Sequence, residues 1–202
     1  MRVPILCAAA AALLASACAS SPAVRYYVLT AIPAGTRLAT PADMAPVRLE
    51  RLTIPTELDR SELVRRMDAT RVDLLEDDRW AAPLDDMIRR VLTADLAARL
   101  PPGRVTDPNE PPGSEHRQSL AVDIQRFDGD PACAVTLRAA WVLKKPEGSS
   151  VRGSEEERIT SGACSGAASL PPAMSQALAQ LSDRLAAVVA RSADAGTSGD
   201  AH

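Results

Sequence analysis

QSLAVDIQRFDGDPACAVTLRAAWVLKKPEGSSVRGSEEERITSGA, residues 118–163, decides the fold. Leu120, Val122 and Ile124 alternate with Ala121, Asp123 and Gln125, the period-two pattern of a strand with one buried face. Asp128-Gly129-Asp130-Pro131 makes a turn, and the run from Ala132 to Leu143 is rich in Val, Thr and Trp. Pro146-Glu147-Gly148-Ser149 turns the chain again, and Val151 to Ala163 returns. Three strands joined by short turns form a β-meander. Centring the second turn between Gly148 and Ser149 places Cys133 opposite Cys164. Opposed Cβ atoms lie ~4.5–5.5 Å apart, close enough for a disulfide after a modest adjustment. An oxidising compartment allows that bond. A bulge or a slipped register instead leaves two unpaired, half-buried thiols.

Helices flank the meander. After Pro83, Leu84, Ile88, Val91, Leu92 and Leu96 recur at helical spacing with Met87 beside them. Asp85 and Asp86 fall in the first turn, where negative charge suits the helix dipole, and Pro101-Pro102-Gly103 stops the helix. Beyond Gly166, Pro171-Pro172 suits a helix start, and Met174, Leu178, Leu181, Leu185, Val188 and Val189 form one apolar stripe. Upstream, Tyr26 to Leu29, Val47 to Ile54, Leu63 to Met67 and Arg71 to Leu75 read as short strands, Pro55 ending the second. Arg104-Val105-Thr106 reads as a brief one. Each helix has one apolar face, which must cover a sheet. The expected fold is therefore α+β, a mostly antiparallel sheet covered by two long amphipathic helices.

The N-terminus reads as a leader. Arg2 is followed by an apolar run from Val3 to Leu14, then by Ala15-Ser16-Ala17 and Cys18. That run is well short of the ~20 residues a membrane-spanning helix needs. Small residues before a cysteine fit lipoprotein processing, with Cys18 as the acylated N-terminus; Ala15-Ser16-Ala17 also satisfies an ordinary signal peptidase. The domain reading is a signal peptide over 1–17, a lipidated N-terminus and linker over 18–25, a folded domain over 26–191 and a disordered tail over 192–202.

Composition restricts the chemistry. The formal net charge is −3, and the leader removes a further cation, Arg2, so no electrostatic drive toward nucleic acid exists. One Phe, two Trp and two Tyr leave the core to aliphatic residues. The two histidines are His116, in an acidic loop, and His202, at the C-terminus. No Gly-x-Ser-x-Gly, phosphate loop or His-Glu-x-x-His occurs. Glu155-Glu156-Glu157 and the cluster Asp73, Glu76, Asp77 and Asp78 read as solvated strand faces, and Arg60, Arg65 and Arg66 as a solvated edge, with contact to an acidic partner as the less common alternative. The two cysteines of the meander lack a nearby third ligand for a metal. The expectation is a protein with no catalytic residues, no metal and no cofactor.

Arg79-Trp80-Ala81-Ala82-Pro83-Leu84 carries a resemblance. With Arg25 to Leu29 close behind Cys18, Leu58-Asp59-Arg60, Phe127-Asp128-Gly129, Leu137 to Trp141 and Met174 to Leu181 in order, the chain over roughly 18–190 resembles the ABC-type transport auxiliary lipoproteins, the PqiC-like group. It departs from that pattern at Ala15, where the lipobox prefers leucine, and in a proline-rich insert near Pro108 to Gly113. The resemblance implies a periplasmic lipoprotein at the outer membrane that assists lipid movement between membranes. Its implied partners are an MCE-domain protein and ABC-type or PqiA-like transporter subunits, and its implied state is a homo-oligomer. Ala19 after the cysteine favours the outer membrane by the sorting rule for such proteins. Alternatives are a stand-alone lipid-binding module or a structural envelope lipoprotein. Of the motif, Trp80 reads as an apolar plug and Pro83 as the residue setting the helix start.

Overall fold

A computed structural model describes residues 23–106, 117–160, 162 and 164–197, with the side chains of the last four outside the description. Cys18, the leader, the proline-rich insert, both histidines and residues 198–202 lie outside the described residues. Seven strands form one sheet: β1 Arg25–Tyr27, β2 Val47–Thr53, β3 Glu62–Arg66, β4 Val72–Trp80, β5 Gln118–Gly129, β6 Ala134–Lys144 and β7 Ser150–Thr160. Among the described residues two α-helices, α1 Leu84–Arg99 and α2 Leu170–Thr197, pack on each other and on the sheet, α1 against β2 and α2 against β5, β6 and β7.

The meander forms because its alternation is nearly unbroken. Leu120, Val122 and Ile124 of β5 lie opposite Leu143, Trp141 and Ala139 of β6, all buried. The register then shifts between Ile124 and Arg126, leaving Gln125 as an extra residue. That bulge exchanges the parity of the strand. Phe127, fully buried, takes over the core face opposite Leu137, and Asp128 turns to the other face. At Gly129 an added Cβ would stand 2.3 Å from Leu170 Cδ2, so the missing side chain admits the start of α2. At Gly153 it would stand 2.5 Å from Trp141 Cζ2, so the indole lies directly on β7.

The sheet is mixed, which corrects the expectation of a mostly antiparallel one. Pairs β3–β4, β5–β6 and β6–β7 are antiparallel; β1–β4, β2–β5 and β3–β5 are parallel. The upstream strands do not continue the meander outward. Strands β2 and β3 share one edge of β5, the first along Gln118–Asp123 and the second at Gly129 alone. Between them Pro55 and a 3₁₀ turn, Thr56–Leu58, carry the chain away from the edge and back. A proline has no N–H to offer the ladder, so pairing lapses there.

Other boundaries differ as well. Strand β4 runs on to Trp80, through the acidic cluster, and Val105 contributes only an isolated bridge to Val47. Of the helices only α2 is long, with 28 residues against 16 for α1. It continues past Ser192, where the sequence reading ended the folded domain, to Thr197. Its buried face is broad because it meets the sheet on one side and α1 on the other, and Ala177, Ser182 and Ala186 keep it narrow enough for both contacts.

Candidate functional site

The residues singled out by sequence separate into a buried frame and two surfaces. Trp80 closes β4 with 5% exposure; its N–H donates to Ser61 O at 2.7 Å, and the next N–H, from Ala81, donates to Tyr27 O at 2.9 Å. Pro83 precedes α1 in extended backbone, and Leu84 is buried. Arg79 reaches Glu62 at 4.0 Å on a partly exposed face. The motif therefore joins three elements: β4 ends, β1 is pinned beside it, and α1 is launched.

Strand β1 is fixed by a cluster on its inward face. Asp78, 5% exposed, accepts from the Arg25 guanidinium at 2.8 Å and from the Tyr27 hydroxyl at 2.8 Å. Burial, then the hydrogen bond to Asp78, raises the Tyr27 phenol above its ordinary pKa. The same carboxylate holds the Arg25 guanidinium charged. Val24, Tyr26 and Val28 face outward instead, 42%, 65% and 55% exposed.

The arginines beside and within β3 have partners on several elements. Arg65 pairs with Asp73 at 3.6 Å, Arg66 with buried Asp128 at 2.7 Å, and Arg60 donates to Glu57 O at 2.8 Å. Arg60 is exposed and Arg65 and Arg66 are partly exposed, in keeping with the solvated edge expected of them. Of the three glutamates in β7, Glu156 accepts two bonds from Arg138, and Glu157, nearly buried, lies 3.6 Å from Arg184 of α2. Among the described residues no group of three or more His, Cys, Asp or Glu side chains is placed to hold a metal.

Cys133 and Cys164 are bridged, with Cα atoms 5.4 Å apart. They are not hairpin partners. The turn is centred earlier than the sequence reading placed it, on Glu147: Lys144 opposes Ser150 and Ala134 opposes Thr160, so the ladder ends four residues before Cys164. The chain beyond β7 must curl back, and Cys133 meets it from a left-handed backbone conformation, φ 59°. The bridge thus closes the loop before α2 onto the β5–β6 turn.

A polar cluster between the helices went unread in the sequence. Arg99, 4% exposed, donates from Nε to Asp183 Oδ1 at 2.5 Å, from Nη1 to Asp95 O at 3.0 Å and Ile32 O at 3.3 Å, and from Nη2 to Ala179 O at 3.1 Å. Asp95, fully buried, accepts from Ile32 N at 2.8 Å and lies 3.5 Å from Arg99. Thr30 N donates to Ser175 Oγ at 3.2 Å, and Leu38 N to Arg99 O at 2.8 Å. These bonds strap the β1–β2 connection across both helices. The signal was present: Asp95 and Arg99 occupy positions of the α1 apolar stripe, where unpaired charge is too costly to persist.

The sheet face away from the helices is open. A shallow groove of about 330 Å³ crosses it, lined by Arg51, Thr53, Asp123, Ala121, Ala140 and Val142, the last 43% exposed.

Residues 27–186 match the family model described as the ABC-type transport auxiliary lipoprotein component. The chain belongs to that family. The match begins at Tyr27, the last residue of β1, and ends in α2, so it takes in strands β2 to β7, the whole of α1 and the first part of α2. The chain is also similar to the intermembrane transport lipoprotein PqiC of Escherichia coli strain K12 and of Shigella flexneri, in each case 28% identical over 118 residues, 58% of this chain. It matches 62% of the length of those relatives. A crystal structure of an uncharacterized protein superposes with TM-score 0.70 at 22% identity, covering 83% of this chain and 99% of the other. A protein from Xanthomonas campestris gives 0.61 at 19%, covering 86% and 98%. These two likenesses establish the fold.

Proposed function

We propose that this family member is an envelope lipoprotein, anchored through Cys18 to the periplasmic face of the outer membrane, that serves as a non-catalytic subunit of an ABC- or MCE-type system moving lipid between membranes. The observation that carries the reading is the order of parts. The segment read as a leader ends at Ala17, Cys18 and a linker-like stretch follow, and the family match opens at Tyr27. The name of the PqiC relatives, intermembrane transport lipoprotein, supports the transport part. Charged side chains spent on internal pairs and a core filled by aliphatic residues suit a scaffold that positions partners. No helix among the described residues is long and apolar enough to cross a membrane, so on this reading acyl chains supply the attachment. Acyl chains contribute ~0.8 kcal/mol per buried CH₂, and one chain alone holds marginally, which is why a multiply acylated cysteine is required.

The open face and its groove are the surface proposed to meet an MCE-domain protein or a transporter subunit, or a second copy of the chain. A stand-alone lipid carrier would need room between sheet and helices. That space is filled by Leu49, Leu63, Ile88, Leu92, Leu120, Phe127 and Leu137, each under 2% exposed.

Fractionation tests the anchor. The native chain is expected in the outer-membrane fraction with acylated Cys18, and Cys18→Ser in the soluble periplasm. Affinity purification of the anchored chain is expected to bring down an MCE-type protein. Recovery of Cys18→Ser in the membrane fraction at native level would remove the anchor from the reading.

A further inference from the structure

Seven large apolar side chains are more than a third exposed among the described residues, and three of them, Val24, Tyr26 and Val28, occupy alternate positions of one five-residue run. Alternation in an extended segment puts all three on the same side. The opposite side is committed inward: Tyr27 is half-buried, Leu29 is buried and Arg25 is held on Asp78. The outward row carries no charge of its own. Opposite Tyr26 in the β1–β4 register stands Arg79, which faces Glu62 at 4.0 Å. Strand β1 is also an edge of the sheet, with no further strand beside it among the described residues.

The position of the row decides its occupant. Val24 is six residues from Cys18, a span of at most about 20 Å for extended chain. A short tether makes any contact between this edge and the surface holding Cys18 intramolecular, so a weak contact suffices. Tyrosine, with an apolar body and a polar tip, is suited to the boundary between water and acyl chains. We propose that Val24, Tyr26 and Val28 seat the β1 edge on the lipid surface. The tethered domain would then take a fixed orientation on the membrane rather than tumble on its linker. The proposal rests on the anchor at Cys18.

Coupling the chain from Cys18 onward to a maleimide phospholipid in phosphatidylcholine vesicles tests it without relying on cellular acylation. Cys18 is then the one cysteine outside the Cys133–Cys164 bridge. Trp80 and Trp141 are buried, so a tryptophan introduced on the surface reports its own surroundings. With brominated acyl chains in the vesicle, Tyr26→Trp is expected to lose emission and shift to the blue. Val142→Trp, on the open sheet face, is expected to do neither. Equal quenching at both positions, or none at Tyr26→Trp, overturns the seat. So does a change at Tyr26→Trp that ignores bromination and follows protein density, which would place a second copy there. Mass analysis of the native N-terminus is a separate reading: a free Cys18 thiol defeats the cellular anchor but leaves the vesicle result standing on its own.

Discussion

Arg99 and Asp95 illustrate how few polar side chains hold the helices and the strap together. Removing one partner of a buried ion pair leaves the other charge without compensation, which costs about 3–5 kcal/mol. Arg99→Leu is expected to lose stability on that scale in denaturant unfolding, with the β1–β2 connection becoming the most protease-sensitive segment. Asp95 adds a pH dependence. Burial, the largest influence, raises its pKa, while Ile32 N–H and Arg99 lower it and Asp183 raises it further. A carboxylate with a raised folded-state pKa contributes stability that is fully present below its unfolded value and lost as pH rises through the folded value. The stability difference between the native chain and Asp95→Asn should therefore favour the native chain most at acid pH and shrink toward neutrality. Urea midpoints measured across that range check the sign, and a difference that grows with pH would contradict it. Trp141 offers a purely steric counterpart. Its indole occupies the space where a side chain at position 153 would begin, so Gly153→Val overpacks a rigid ring and is expected to cost about 1–3 kcal/mol.

At the scale of elements, the irregularities carry the architecture. The bulge at Gln125 lets one strand feed Ile124 and Phe127 into the same core although they are three residues apart. A second register shift in β2, between Leu49 and Arg51, does the same for Leu49 and Leu52. Neither is visible to a period-two search, which sees only a broken pattern. The cysteine bridge is of the same kind. Uniform hairpin register offered a reason for Cys133 and Cys164 to meet, yet the observed ladder ends at Thr160 and the closure is made by the loop beyond it. The bridge spans 31 residues and fastens the entry to α2. Cys164→Ser is expected to lower stability by about 2–4 kcal/mol. Non-reduced peptide mapping of the protein isolated from cells should return the two cysteines in one linked fragment; free thiols at both positions would refute the oxidised state.

For the whole molecule, the strand order sets which surfaces are available. Helices and strap occupy one face, β1 and β7 form the outer edges, and the open face with its groove remains for partners. Charge-reversing Asp123→Arg on that face is expected to leave the melting temperature nearly unchanged and to weaken recovery of the transport partner. Native recovery together with native stability would exclude this face as the contact.

The sequence by itself determined the local structure. Period-two alternation from Leu120 to Ile124, helical spacing behind Pro83 and Pro171-Pro172, and the Arg79–Leu84 motif marked the meander, the helices and the family, because each depends on neighbours within a few residues. Only the tertiary structure decided that β1 lies parallel to β4, that β2 and β3 share one edge of β5, and that Arg99 reaches Ile32, Ala179 and Asp183 together. Those pairings join segments distant along the chain, and what selects them is the fit of whole surfaces, which no local pattern encodes.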